Sequence, residues 1–236
     1  MKSIKTILIL ATLLMFADIS AQKNEMHDVR QVAPFTGINV SSGISVYLSM
    51  GNEHVVTIDA PEHILENIVT ETKNGILKIN FFHAPMKINR SMFEKIKVYV
   101  TATWLESIEL SSGSVLHCEH TLKLEKLIVK SSSGADANIN VESIDLLLYA
   151  SSGADIKVKG TTLNLTAKAT GGADIKGREL ETINASLQAS AGSDIAVKVS
   201  GELEASASTG ADIIYYGDAF PKSIRKSTGG DVRKRN

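Results

Sequence analysis

From about Trp104 onward the chain alternates apolar and polar residues with a period of two. Leu146, Leu148 and Ala150 stand on one parity with polar neighbours between them, and Ile156 and Val158 resume that parity after a short break. A period of two with one apolar face predicts strand, since successive side chains on a strand point to opposite sides. The breaks share one sequence. Ser151-Ser152-Gly153-Ala154-Asp155-Ile156 returns as Ser132-Ser133-Gly134-Ala135-Asp136, Thr170-Gly171-Gly172-Ala173-Asp174-Ile175, Ser190-Ala191-Gly192-Ser193-Asp194-Ile195, Ser208-Thr209-Gly210-Ala211-Asp212-Ile213 and Ser227-Thr228-Gly229-Gly230-Asp231-Val232. Ser111-Ser112-Gly113-Ser114 and Ser41-Ser42-Gly43-Ile44-Ser45 are less complete copies. The glycines from 113 to 229 are spaced by 21, 19, 19, 20, 18 and 19 residues, a repeat of the size that builds solenoids. The apolar row shrinks to Ala before each glycine, as expected where a coil bends and leaves little room inside. Glycine marks the bend, where a positive φ or a close backbone approach disfavours a Cβ.

Nineteen or so residues are too few for a strand, a full helix and a return. The pattern therefore predicts an all-β chain, a β-solenoid with coils of about 19 residues. A leucine-rich repeat has a similar length, but its asparagine-bearing consensus is missing. Residues 105–236 are read as regular repeats and 34–104 as irregular coils or hairpins that cover the open N-terminal end, together one domain over 34–236. Within the irregular part, Val46 to Ser49 and Val55 to Ile58 suggest a hairpin around Gly51-Asn52. Pro61 to Val69 carries apolar residues at helical spacing. Lys73-Asn74-Gly75 is a turn signal ahead of a strand at Ile76 to Phe81, and Ile96 to Thr101 is another strand.

The N-terminus changes the picture of where the protein resides. Lys2 and Lys5 precede a short apolar run from Ile7 to Phe16, and Ala21 offers a small residue before Gln22. This reads as a secretory signal peptide over 1–21, too short for a comfortable membrane span. Residues 22–33 are polar and unpatterned and are read as a short leader. Cys118 is the single cysteine of the 236 residues, so no internal disulfide can form and the fold must rest on burial and backbone pairing. The net charge of −1 sets up no global field for nucleic acid. Apolar content is 43% but aromatic content only 5%, which favours stacked aliphatic strands.

Phe35-Thr36-Gly37-Ile38-Asn39-Val40, Gly75-Ile76-Leu77-Lys78-Ile79, the repeated Ser-Ser-Gly-Ala-Asp and Tyr216-Gly217-Asp218 together resemble the head GIN domain family, DUF2807, whose members are described as putative auto-transporter adhesins. The resemblance runs from about Phe35 to the C-terminus. It implies a right-handed parallel β-helix in exported bacterial proteins, and it brings no catalytic motif. With the chain ending at Asn236, no auto-transporter barrel is expected to follow.

Candidate chemistry is sparse. Asp136, Asp155, Asp174, Asp194, Asp212 and Asp231 would form a column at the strand spacing of about 4.8 Å if the coils stack. Exposed carboxylates at that distance repel by less than about 1 kcal/mol in water. The expected role is a repeated corner brace in which each Asp caps backbone at the bend. The rival is a row of oxygen ligands for Ca²⁺, or a polar strip for a glycan. His117-Cys118-Glu119-His120 has residue types that bind Zn²⁺, yet His117 and Cys118 point to opposite faces of a strand, and Cys118 falls on the buried parity. His27, His54, His63 and His83 are scattered. No nucleophile elbow and no phosphate-binding glycine motif occurs. The basic residues Lys222, Arg225, Lys226, Arg233, Lys234 and Arg235 read as protection of a terminal edge.

The sequence therefore predicts an exported, non-enzymatic binding module, with no catalytic, cofactor or metal residues assigned. Its repeated Ser, Asp and Lys columns would face a glycan, an envelope component or a surface protein in the periplasm, at the cell surface or outside the cell. A self-associating scaffold is the alternative, with homo-oligomers open, and a polysaccharide-active β-helix enzyme stands third. Nucleic acid is not expected as a partner, and no membrane-spanning segment is expected after signal cleavage.

Overall fold

A computed structural model describes residues 25–82, 96–118 and 120–236. The segment read as a signal peptide, Glu119 and His83 lie outside these residues. The described chain is about 70% strand and 2% helix, wound into about seven stacked coils of about 19 residues. Each coil has two walls joined by a tight turn at the repeated glycine.

The regular coils show how the sequence builds this. Before each turn a strand presents alternate positions inward: β8 (Ser107–Leu110), β10 (Leu122–Ser131), the later half of β11 (Asp136–Ser151), of β12 (Asp155–Thr170) and of β13 (Asp174–Ser190), then β15 (Glu202–Ser208), with the exposed β17 (Phe220–Ser227) closing the row. These lie side by side and parallel as the pre-turn wall. After each turn the chain continues as β9 (Val115–Cys118), the early half of β11, β12 and β13, then β14 (Asp194–Val199), β16 (Asp212–Tyr216) and β18 (Asp231–Lys234). These form the parallel post-turn wall. Like residues stack on like: Leu127, Leu146 and Leu165 on one wall, Ile156, Ile175, Ile195 and Ile213 on the other, all essentially buried. The core is the slot between the walls. Among the described residues it contains no fully buried charge, so aliphatic burial and the continuous backbone ladder carry the fold.

At each turn two consecutive residues are left-handed. Ser152 and Gly153 have φ of 54° and 71°, and the same pairing recurs in the other copies. Ala154 donates its N–H back to the Ser151 carbonyl at 3.3 Å, which closes a primed β-turn. The turns also stack on one another. Gly134 donates its N–H to the Ser152 carbonyl of the next coil, and Gly153 does the same to Gly171. A Cβ built on Gly153 would meet nothing within 4 Å. The glycine is needed for its φ and not for lack of space.

The N-terminal part departs from chain order. β2 (Gly37–Val40) and β3 (Ser45–Met50) form a regular coil whose turn at Ser42-Gly43 is also left-handed. The next strands do not stack on the side that leads to the repeats. β6 (Ile76–Phe81) and β7 (Lys97–Ala102) pair with β2 and β3 on the outer side, while β8 and β9 pair with them on the inner side. The first coil in sequence is therefore second in the stack. The suggested hairpin between residues 46–49 and 55–58 does not form. β3 has both edges taken by β7 and β9, and β4 (Val55–Pro61) runs antiparallel to the far edge of β7 instead. The helical segment shrinks to α1 (Glu62–Leu65), because Ile68 and Val69 enter β5 (Ile68–Lys73), which makes a hairpin with β6 through the left-handed pair Asn74 and Gly75.

The polar leader is also structured from residue 25. β1 (Glu25–Gln31) pairs antiparallel with β4. Arg30 fastens it, donating from its guanidinium to the Leu65 and Ile68 carbonyls and to Thr70 Oγ1. An edge strand held by backbone pairing, Arg30 and a 2.6 Å contact between His27 and Asp59 has no apolar period, which is why no pattern marked it.

Candidate functional site

The post-turn wall carries the candidate chemistry on its outer surface. The Asp column forms as expected: Asp136, Asp155, Asp174, Asp194, Asp212 and Asp231 are in register on adjacent strands. Backbone N–H groups of Asp212 and Val232 meet the carboxylates of Asp194 and Asp231 respectively, and cations hold others. Lys176 Nζ bridges Asp155 at 2.5 Å and Asp174 at 3.2 Å, and Arg233 lies 2.6 Å from Asp212 and 3.6 Å from Asp231. Four of the six carboxylates are thus tied in pairs by a cation two residues beyond Asp174 or Asp231. The corner hydroxyls do more of the bracing. Ser193 Oγ is fully buried, accepts the Ser190 N–H and donates to the Ala169 carbonyl at 2.9 Å, and Ser114 repeats this with Ser111 and Val40.

Column electrostatics follow from these contacts. The Asp155 hydrogen bond holds Lys176 above the usual lysine range, and Asp174 adds to it. Lys226 at 2.7 Å holds Asp231 below the usual carboxylate range. Asp194 has no such cation, and partial burial, then repulsion from Asp174 and Asp212, raise its pKa. A carboxyl raised in the folded state binds its proton more tightly there than in the unfolded chain. Stability contributed by this group is then present at acid pH and lost as pH climbs through the raised value. Asp194→Asn is expected to raise the melting temperature at pH 7, with the gain vanishing below the ordinary carboxylate range. Melting curves of both proteins across that pH interval check the sign.

Beside the Asp column runs a second, mixed one. Tyr99, Tyr47 and His117 stack with ring centroids 5.2 and 5.3 Å apart and planes within 26°. The column then continues in register through Asn138, Lys157, Lys176, Ala196, Ile214 and Arg233. His117 is thus a stacked outer ring, while Cys118 lies in the row below, beside Leu48, and packs against the core. Burial pushes the Cys118 thiol up to about 12. His120 is exposed, and Glu119 lies outside the described residues. Among the described residues no group of three or more His, Cys, Asp or Glu side chains is gathered as a metal site would need.

A groove of about 490 Å³ opens where this wall is least regular. β13 carries extra residues here: Gly177 pairs with Val197, but the next pairing is Glu181 with Lys198, so residues 178–180 bulge. Gly177 sits in the inward row, where a Cβ would press on Val158 and Val197 at 3.1 Å. The bulge throws Arg178 outward over the Tyr216 ring, 4.9 Å from its centroid. The groove is lined by Asn138, Lys157, Lys159, Lys176, Arg178 and Tyr216, among others. No periodicity points to it, since it arises where the period fails.

On the edge between the walls a second ladder escaped the sequence reading. Asn164 donates from Nδ2 to Asp145 at 3.0 Å and accepts from Asn184 at 3.1 Å, and Asn184 in turn accepts the Glu202 N–H. The signal was present, as Asp145, Asn164, Asn184 and Glu202 each stand eight residues before a repeat glycine. Asn164→Ala removes two of these bonds at an exposed site, and an expected loss of about 1–2 kcal/mol in chemical denaturation checks their worth. The basic C-terminal residues are mostly paired, Lys222 with Glu202, Lys226 with Asp231 and Lys234 with Asp218, on the last strands of the stack.

Residues 34–219 match the family described as putative auto-transporter adhesin, head GIN domain. The chain belongs to this head GIN domain family. Several solved structures share its fold. A putative adhesin from Bacteroides fragilis is 19% identical with a TM-score of 0.83, covering 90% of this chain and 98% of its own. A putative adhesin from Parabacteroides distasonis is 18% identical, with a TM-score of 0.73 and coverage of 91% and 98%. A putative lipid binding protein from the same organism is 17% identical, with a TM-score of 0.65 and coverage of 91% and 98%. No curated protein matches the chain. At these identities the likeness establishes the fold that the head GIN domain chain shares with them.

Proposed function

We propose that this head GIN domain protein is a non-enzymatic, exported binding module of the bacterial envelope, with an adhesin-like role, and that its post-turn wall contacts a glycan of the envelope or of a neighbouring surface. The carrying observation is the register of the Asp column and of the column beside it, which both run in step across successive coils of that wall. Polar groups repeated at strand spacing match a ligand that is itself a repeat, and a polysaccharide is one. A catalytic site needs one singular place where acid, base or nucleophile converge, whereas these carboxylates recur coil after coil and several are held by cations. Family membership supports the adhesin-like role, and the apolar N-terminal run at 7–16 supports export.

The test is binding of the purified chain to a panel of envelope and extracellular glycans, with the bound polymer recovered and sized. Saturable binding with polymer of unchanged length is expected. Shortened polymer would replace this reading with an enzymatic one, and absence of binding across the panel would overturn it.

A further inference from the structure

We propose that the groove on the post-turn wall is a specific site for an anionic polysaccharide, one whose sugars carry carboxylate or sulfate groups. The inference rests on the reading of the chain as a glycan-binding module and names the ligand class and place. Lys157, Lys159 and Arg178 are exposed, and none has a carboxylate partner within ion-pair distance among the described residues. Lys157 and Lys159 stand two residues apart on β12, and Lys157 faces Lys176 on the adjacent strand, one strand spacing of about 4.8 Å along the stack axis. That is comparable to the length of one pyranose in an extended chain. Lys176 completes the cluster while neutralising Asp155 and Asp174, the carboxylates that would otherwise repel an anion here.

Shape agrees with charge. Ala196 follows Lys157 and Lys176 in the same column, and its short side chain leaves the recess open. The bulge in β13 delivers Arg178 to the rim, where its guanidinium lies over the Tyr216 ring. A guanidinium presented this way can take a carboxylate or sulfate through two parallel hydrogen bonds. The Asn138 amide and the Tyr216 hydroxyl offer partners for sugar hydroxyls. Glu179 also lines the groove, and with Asp155 and Asp174 held by Lys176 the cluster sets four cations against three carboxylates in a chain whose net charge is −1. Such a local excess, built by a departure from the repeat, marks a place selected for negative charge.

The test measures affinity of the full chain for polygalacturonate, dextran sulfate, neutral dextran and single-stranded DNA. It compares Lys157→Ala/Lys159→Ala and Arg178→Ala with Lys168→Ala/Arg225→Ala on the opposite wall, each checked for an unchanged melting temperature. The groove variants are expected to weaken binding of an acidic polysaccharide about tenfold at 0.15 M salt, while the opposite-wall variant leaves it unchanged. Preference between polygalacturonate and dextran sulfate tells carboxylate from sulfate. Equal losses on both walls, or DNA bound as tightly as the best polysaccharide, would overturn the groove as a specific site. Neutral glycans bound with no response to the groove variants would overturn it and leave the binding-module reading standing. No glycan bound at all would remove both.

Discussion

Gly160→Ala is expected to destabilise the protein by more than about 3 kcal/mol, whereas Gly153→Ala costs only about 1–2 kcal/mol. The repeated glycine looks the more important in sequence, and the structure reverses the order. Gly153 has φ of 71° and open space around an added Cβ, so Ala meets only the left-handed backbone penalty. Its neighbour Ser152 already tolerates that conformation at φ 54°. Gly160 stands at the far bend of its coil with φ of 112°, and an added Cβ would lie 2.0 Å from the Val141 carbonyl oxygen. That oxygen belongs to the strand stacked on it, Val141 facing Gly160 in the parallel register. Neither residue can move aside without breaking the ladder between β11 and β12. Denaturant melts of the two variants decide the matter, and a Gly160→Ala protein as stable as Gly153→Ala would show that the bend is softer than its geometry.

Leu146→Ala is expected to cost about 2–5 kcal/mol, the range for deleting a fully buried leucine. Leu146 is 0% exposed and stacked between Leu127 and Leu165 in adjacent coils. Register fixes both neighbours through backbone hydrogen bonds, so the hole cannot close by sliding one strand along the next. Solenoid coils also depend chiefly on the coils beside them. The variant should therefore lose cooperativity as well as stability, with a shallower denaturant slope as the two ends begin to melt separately. A two-state transition of unchanged slope would mean that the stack folds as one unit in spite of its one-dimensional contacts.

Both variants act on the scaffold and leave the outer columns in place. Activity and stability are separable here because the two parities of each strand do different work. The inward parity fills the slot between the walls, and the outward parity displays the Asp, Lys and Asn columns. Substitutions at Lys157 or Lys159 should thus change binding with little effect on melting, and those at Leu146 or Gly160 the converse.

The regular coils were legible from sequence because the same local rules act in every copy. Parity placed Ile156 inside and Lys157 outside, the spacing of the glycines set the coil length, and the Ser–Asp motif located the turns. The register of the Asp column followed, since in a parallel stack equivalent positions must meet. What lay beyond the sequence was decided by pairings between distant strands. β2 is inserted between β6 and β8, β4 leaves its neighbour β3 for the far edge of β7, and the polar β1 is recruited as an edge strand by backbone bonds and Arg30. Backbone donors and acceptors are alike at every residue, so side-chain pattern carries no record of which edge they will choose. The groove and the crowded Gly160 have the same origin. Each appears where one coil departs from the next, at a bulge in β13 or a tight bend in β12, and the consequence of such a departure exists only once a neighbouring coil is stacked against it.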